Sequence, residues 1–170
     1  MTMRPESTEY APYYEQYIRL VPDGDIISIL DSQLESTLSL LGSLPETKAA
    51  SAYAPGKWTI KEALGHIIDT ERIFTYRALC IGRNDKTPLP GFEQEDYVAN
   101  THFNARPFLT LLEELTAVRR AGIALFKHFT EEEWGRRGTA NRLEITTRAL
   151  VYNIAGHERH HLNILKTRYL

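Results

Sequence analysis

The sequence predicts an all-α protein, a four-helix bundle with a long crossover between its second and third helices, and three observations support this. Four long segments repeat apolar residues with the period of about 3.6 that is typical of amphipathic helices. The stretches that separate these segments are rich in proline and glycine, which oppose regular structure. Signals for β-strands are few, since only a short stretch at 141–146 could be extended.

Residues 1–22 are predicted to form an irregular arm, and residues 23–170 a single bundle domain. Prolines interrupt the arm, and four tyrosines lie between them: Tyr10, Tyr13, Tyr14 and Tyr17. A tyrosine ring is apolar, whereas its hydroxyl is polar. We therefore expect the arm to lie across the surface of the bundle, with its rings packed and its hydroxyls pointing outward.

The first helix is predicted for residues 24–42. Asp23 is a suitable N-cap, because its carboxylate can accept hydrogen bonds from backbone N–H groups of the first turn. Gly42 and Pro45 then end the helix, since glycine favours C-terminal caps and proline cannot continue the hydrogen-bond ladder. A connection at 45–57 leads to the second helix.

The second helix is predicted to begin at a capping box and to end near Ile81. Thr59 and Glu62 have the spacing at which each side chain satisfies a backbone N–H of the other residue. The long crossover at 83–105 follows, with a possible short helical turn at 93–99. A loop of this length in a compact domain is usually functional or topological.

The third helix is predicted to run from Pro107 to Phe129, because proline is favourable at the first helical position. A short acidic turn at 131–134 and a connection come next. The final helix is predicted to start near residue 146 and to run almost to Leu170. These helices complete the bundle.

The last helix carries three of the six histidines within five positions. His157 and His161 are four residues apart, so they share a helix face that continues an apolar stripe, and two inward imidazoles can bind one metal ion. The simpler alternative is that they are surface or core histidines. Metal sites usually take three or more protein ligands. His66, beside the apolar stripe of the second helix, is a better third candidate than His102 or His128.

The same stretch also matches H-E-x-x-H, a zinc metalloprotease signature in which Glu158 would be the general base. The common enzymes of that class take a third ligand C-terminal to the motif, yet the nine residues after His161 contain no His, Asp or Glu. That class is therefore excluded. We expect Glu158 to be solvated or to lie behind the ligands, and His160, about 100° round the helix from His161, to flank the site or face outward. Asp69 is expected to orient a ligand or to pair with Arg72.

Three blocks of the sequence resemble the DinB/YfiT-like superfamily. They are PGKWTIKEALGHIIDTER at 55–72, the tripeptide PGF at 90–92, and the H-x-x-x-H pair of the last helix. Members are four-helix bundles with one histidine in the middle of the second helix and such a pair on the last. The resemblance covers most of the chain. It implies that His66, His157 and His161 bind a divalent transition metal, zinc or nickel in the first place, with iron or manganese as alternatives.

The resemblance also implies a homodimer and a metal-dependent enzyme. Some relatives are S-transferases that use bacillithiol or mycothiol, and others are classed as metal-dependent hydrolases. Our first hypothesis is a transferase that joins a small-molecule thiol to an electrophilic substrate. The alternatives are a hydrolase that uses metal-bound hydroxide and a non-catalytic metal-binding stress-response protein.

Composition narrows the range of partners and compartments. The net charge of −2 and the absence of a basic patch argue against nucleic acid as a partner. No run of eighteen apolar residues and no signal-like N-terminus are present, so we expect no membrane association. The single cysteine, Cys80, fits a reducing cytoplasm better than a secreted setting.

Overall fold

A computed structural model describes residues 3–170, and it confirms the all-α class with four long helices. In this part of the chain the helices are α1 Glu15–Ile18, α2 Ile26–Leu41, α3 Glu46–Ala49, α4 Ile60–Gly82, α5 Gln94–Ala99, α6 Phe108–Phe126, α7 Glu131–Gly135 and α8 Thr147–Ile164. Two strands, β1 Arg137–Ala140 and β2 Leu143–Thr146, form a hairpin. Short 3₁₀ turns occupy Ser7–Glu9, Pro12–Tyr14 and Phe103–Ala105, and a π-helical turn occupies Leu165–Tyr169. None of the helices within residues 3–170 has both the length and the apolar character needed to cross a membrane.

The N-terminal caps follow the side-chain chemistry of the sequence. The capping box of α4 is present as predicted: Thr59 Oγ1 accepts from the Glu62 N–H at 3.1 Å, and Glu62 accepts from the Thr59 N–H at 2.7 Å. The cap of α2 is Asp25 rather than Asp23. Asp25 has extended backbone directly before the first helical residue, so its carboxylate reaches the Ser28 N–H at 3.0 Å.

The long helices pack as a square in which chain neighbours are not always spatial neighbours. α2 packs against α6 and α8, and α4 packs against the same two helices. The chain therefore crosses a diagonal between α2 and α4, and again between α6 and α8. Only the long crossover after α4 joins two adjacent helices of the bundle.

Helices α4 and α8 run antiparallel, and their middles meet in a polar layer between two apolar core clusters. Residues near the start of α4 share one cluster with residues near the end of α8, and the opposite ends share the other cluster. Between them lie buried polar side chains from three helices. These are His66, Thr70 and Glu71 of α4, Arg119 of α6, and His157 and Glu158 of α8. Buried polar groups need partners, so this layer is where function or specificity is expected.

The arm is part of the packed structure. Tyr14, Ile18 and Val21 are buried in the core, and α1 packs directly on α8. Packed rings were expected, and Tyr14 is only 5% exposed, but Tyr13 is 61% exposed. Spacing explains the difference, because residues 14, 18 and 21 share one face as the arm becomes helical.

Near the C-terminus the structure agrees with one expectation and differs from another. The extended stretch at 141–146 is the second half of a β-hairpin, whose turn residues Asn141 and Arg142 both have positive φ, at 51° and 64°. That is the geometry of a tight hairpin turn. The last α-helix ends at Ile164 and not near Leu170, because the chain continues as the π-helical turn.

Candidate metal centre

The three predicted ligands come together in the middle of the bundle. His157 Nε2 lies 3.0 Å from His66 Nε2 and 3.1 Å from His161 Nε2. One ring nitrogen of each residue lies within 4.8 Å of the others. His66 and His157 are buried and His161 is half-buried, whereas His102 and His128 lie outside this histidine cluster.

Local sequence explains how the cluster forms. The spacing of four on α8 aligns two imidazoles, and the antiparallel packing of α4 brings the third opposite them. In each helix a glycine directly precedes a ligand. A Cβ on Gly65 would overlap the ring of Phe103, and a Cβ on Gly156 would overlap the carbonyl oxygen of Tyr17. These glycines therefore let neighbouring segments close over the cluster.

Burial keeps the imidazoles neutral. Loss of solvation lowers the pKa of His66 to about 4 and the pKa of His161 to about 3. Burial and the neighbouring imidazoles together hold the pKa of His157 well below its ordinary value. A neutral imidazole has one nitrogen with a free lone pair. At neutral pH all three side chains can therefore act as ligands.

The cluster fits a metal ion better than it fits mutual hydrogen bonding. His157 Nε2 faces two other Nε2 atoms, yet a neutral ring nitrogen carries either one hydrogen or one lone pair. The three nitrogens therefore cannot all satisfy one another. A cation would accept a lone pair from each, and spacings near 3 Å are compatible with metal–nitrogen bonds of about 2.0–2.1 Å. Zinc, nickel and ferrous iron all accept such a donor set.

Aromatic rings surround the cluster. The ring of Trp58 lies 5.0 Å from the ring of His66, and the ring of Tyr17 lies 5.6 Å from that of His157. His160 is half-buried and contributes no nitrogen to the cluster; its ring lies 5.4 Å from that of Tyr17. It flanks the site, as its position on the helix predicts.

Glu158 is not solvated, because it belongs to a buried ionic network. It is 1% exposed and accepts hydrogen bonds from Arg119 at 2.7 Å, from Thr37 at 2.6 Å and from Gln33. Arg119 also donates to both carboxylate oxygens of Glu71, at 2.7 and 2.9 Å. Burial disfavours charge on Arg119, but the two carboxylates raise its pKa above its ordinary value, so it remains a cation. We call these five residues the ionic network.

The predicted choice for Asp69 is resolved in favour of an ion pair. Its carboxylate lies 3.7 Å from Arg72, which also binds Glu114 at 2.6 Å. Burial raises the pKa of Asp69. Its ion-pair partner among residues 3–170 is the half-exposed Arg72 and not a histidine, so the structure gives no support for a role in orienting a ligand.

Two cavities border the histidine cluster and are lined by different histidines. The first, of about 360 Å³, is called the arm cavity; its wall includes His66, His157, Thr70, Arg77, Tyr13 and Tyr17. The second, of about 230 Å³, is called the C-terminal cavity; its wall includes His161, Tyr53, Trp58, Lys57 and Tyr169. Gln94 and Glu95, at the start of α5, line both cavities.

Sequence reasoning missed some of these site residues. The arm tyrosines were noticed without an assigned role, and Arg77 was not singled out. A signal for Arg77 existed, because it lies eleven residues after His66 and therefore on nearly the same face of α4. A charged residue aligned with a buried ligand is worth testing as part of the site.

Known proteins resemble this chain over most of its length. The sequence model of the DinB superfamily matches residues 29–165. The Oceanobacillus iheyensis protein named "Putative metal-dependent hydrolase OB0413" is 28% identical over 140 residues, which cover 79% of this chain and 80% of that protein. YfiT from Bacillus subtilis, described as a probable metal-dependent hydrolase with an unusual four-helix bundle topology, superposes with a TM-score of 0.72 at 14% identity. That alignment covers 95% of this chain and 89% of YfiT, and it shows a common fold.

Proposed function

The chain belongs to the DinB superfamily, and from this premise we propose that it is a metal-dependent transferase that joins a small-molecule thiol to an electrophile. His66, His157 and His161 hold one divalent transition-metal ion in this proposal. When bound, the ion supplies a Lewis acid that lowers the pKa of a thiol or of water towards neutrality. The neutral, converging ring nitrogens support this assignment.

The observation that carries the transferase proposal is that two cavities meet at one cluster. A transfer reaction brings two organic substrates to the same place, whereas hydrolysis needs one organic substrate and water. His66 and His157 border the arm cavity, and His161 borders the C-terminal cavity. Each substrate can then approach from its own side, and the reacting atoms meet at the histidines.

Side chains of the arm cavity are suited to positioning a substrate. The hydroxyls of Tyr13 and Tyr17 lie 3.3 Å apart on its wall. Burial raises the pKa of Tyr17, so its hydroxyl remains protonated and can donate a hydrogen bond.

The second candidate is hydrolysis, and the observation that favours it is the kinship with OB0413 at 28% identity. That protein and YfiT both carry hydrolase descriptions. In this alternative the arm cavity holds the substrate and the C-terminal cavity admits water. The same three histidines would hold an ion whose Lewis acidity would make water a nucleophile.

One experiment separates the two candidates. Metal-loaded protein is incubated with monobromobimane or with a nitrophenyl ester, each with and without cysteine as the thiol. We expect enzyme-dependent consumption of the bimane that rises and saturates with thiol, and that is lost in His66→Ala. Bimane consumption at the same rate with and without thiol would contradict the transferase. Ester cleavage without thiol would favour the hydrolase.

A further inference from the structure

The arm cavity contains a buried arginine that has no acidic partner. Arg77 is 3% exposed, and its Nη2 donates to the carbonyl oxygen of Pro90 at 2.6 Å. Its guanidinium lies over the rings of Phe74 and Phe92, at 5.4 and 5.8 Å from their centroids. Within residues 3–170 it forms no ion pair with any carboxylate. Most of its five N–H donors are therefore left without a protein acceptor.

Such an arrangement is costly unless something else supplies the negative charge. Buried cations in proteins are normally paired, because an unpaired charge loses its hydration without compensation. The same bundle shows the usual solution at Arg119, whose donors meet the carboxylates of Glu71 and Glu158. Arg77 is buried to a similar degree but lines a cavity. The cavity is therefore the place from which an anion can reach Arg77.

A second unsatisfied group lies on the same face of α4. Thr70 Oγ1 is buried and has no hydrogen-bond partner among the described residues, and it also lines the arm cavity. Thr70 follows His66 by four residues and Arg77 follows it by eleven, so all three lie along one stripe. The stripe spans roughly 16 Å between the first and last Cα atoms. A metal ligand, a free hydroxyl and a free cation thus follow one another along one wall.

We infer that the arm cavity binds a substrate with a terminal carboxylate, several bonds away from the atom that reacts at the histidines, and that Arg77 binds this carboxylate. The inference rests on the proposed function only for the place of the reacting atom. A single guanidinium matches the planar pair of carboxylate oxygens. Arg77 is the one lysine or arginine among the described residues of the cavity wall, while Glu93 and Glu95 lie exposed at the rim and disfavour anions of higher charge.

The test compares two probes that differ only in the terminal group. Mercaptohexanoate and mercaptohexanol are titrated into cobalt-loaded protein, and binding is followed by calorimetry and by the thiolate-to-cobalt absorption band. Wild-type protein should bind the acid about tenfold or more tightly than the alcohol, as expected for a charge-assisted hydrogen bond. Arg77→Met should remove this preference by weakening the acid alone. Cobalt content and affinity for the alcohol should not change.

Arg83→Met is the matched control, because Arg83 caps the same helix, is exposed and pairs with Glu133 away from the cavity. It should keep the full preference for the acid. Equal binding of acid and alcohol by wild type, or a preference that survives in Arg77→Met, would overturn the inference. If Arg77→Met does not fold, Arg77→Lys replaces it. Lysine keeps the charge without the planar donors, so an intermediate preference supports the inference and an unchanged one contradicts it.

A thiol-free probe keeps this result separate from the proposed function. Hexanoate is titrated into metal-free wild type and Arg77→Met, because the guanidinium needs no metal. Binding by wild type alone supports the carboxylate subsite, even if no thiol binds to the cobalt-loaded protein and the transferase proposal fails. Absence of hexanoate binding, or equal binding by both proteins, rejects the subsite whatever the thiols do.

Discussion

The histidine cluster and the ionic network are neighbours in one polar layer, but their hydrogen bonding differs. In the ionic network Arg119 is matched to two carboxylates, and Glu158 accepts from three donors. In the histidine cluster the three nitrogens cannot satisfy one another, and the adjoining wall adds the free hydroxyl of Thr70 and the unpaired Arg77. Burial alone therefore does not mark a functional site. At the histidine cluster, burial is accompanied by three converging ring nitrogens and an adjoining cavity.

If the histidine cluster is the metal site and the ionic network is structural, removal of a histidine should abolish metal binding. His66→Ala removes one of three ligands, and its metal affinity should fall by more than about 100-fold, beyond the roughly 10–100-fold effect of removing groups that only orient ligands. Metal content per chain, measured on freshly purified protein and after reconstitution, checks this. His160→Ala is the control and should keep its metal. Equal loss in both variants would mean that the ligand face is wrongly assigned.

Disruption of the ionic network should instead cost stability. Arg119→Met leaves Glu71 and Glu158 buried without a cation, and the free energy of unfolding should fall by about 3–5 kcal/mol. Urea unfolding followed by circular dichroism measures it. Arg120→Met, at the exposed neighbouring position, should stay within about 0.5 kcal/mol of wild type. A small effect in Arg119→Met would show that the network is not needed for folding.

A smaller effect is expected where the arm covers the histidine cluster. Gly156→Ala places a methyl group against the carbonyl oxygen of Tyr17, and this overpacking should cost about 1–3 kcal/mol and loosen the arm. Thermal unfolding and limited proteolysis of the arm report the two effects. Gly135→Ala has open space at the same atom and should change neither. An arm that stays protected in Gly156→Ala would argue against close packing at this position.

The smallest change in structure should follow removal of the metal. The ionic network and both apolar clusters hold the bundle without an ion, so a chelator should leave the helical circular dichroism unchanged. The melting temperature should fall by only the few degrees that loss of a bound ligand produces. Unfolding upon chelation would identify a structural metal site and favour the non-catalytic hypothesis.

Sequence reasoning reached the helices and the three histidines for different reasons. Apolar periodicity is a local property, so the four long helices were predicted to within a few residues at most ends. Its place beside the apolar stripe made His66 the best third candidate, and the family resemblance completed the assignment, because His66 meets His157 only through tertiary packing. The role of Glu158 was missed for the same reason. Its partners lie on α2 and α6, and their proximity depends on a square arrangement that no local pattern reports.

Sequence reasoning missed Arg77 and the first strand of the hairpin for other reasons. An arginine on a long helix is usually exposed, so the sequence alone gives no reason to assign Arg77 to a site. The neighbouring cavity, which Arg77 lines, gives that reason. Residues 137–140 have no alternation of apolar and polar side chains, so the first strand is stabilised by its pairing with 143–146 and not by its own pattern.

The arm combines anchoring residues with residues that line the site. Ile18 and Val21 fix it in the core, Tyr13 and Tyr17 lie on the cavity wall, and Tyr14 belongs to both the core and the wall. Substitution of the residues that lie only on the cavity wall leaves the anchoring residues unchanged. Under the proposed function, substitutions in this short segment would change substrate preference, while the bundle that holds the three histidines stays the same.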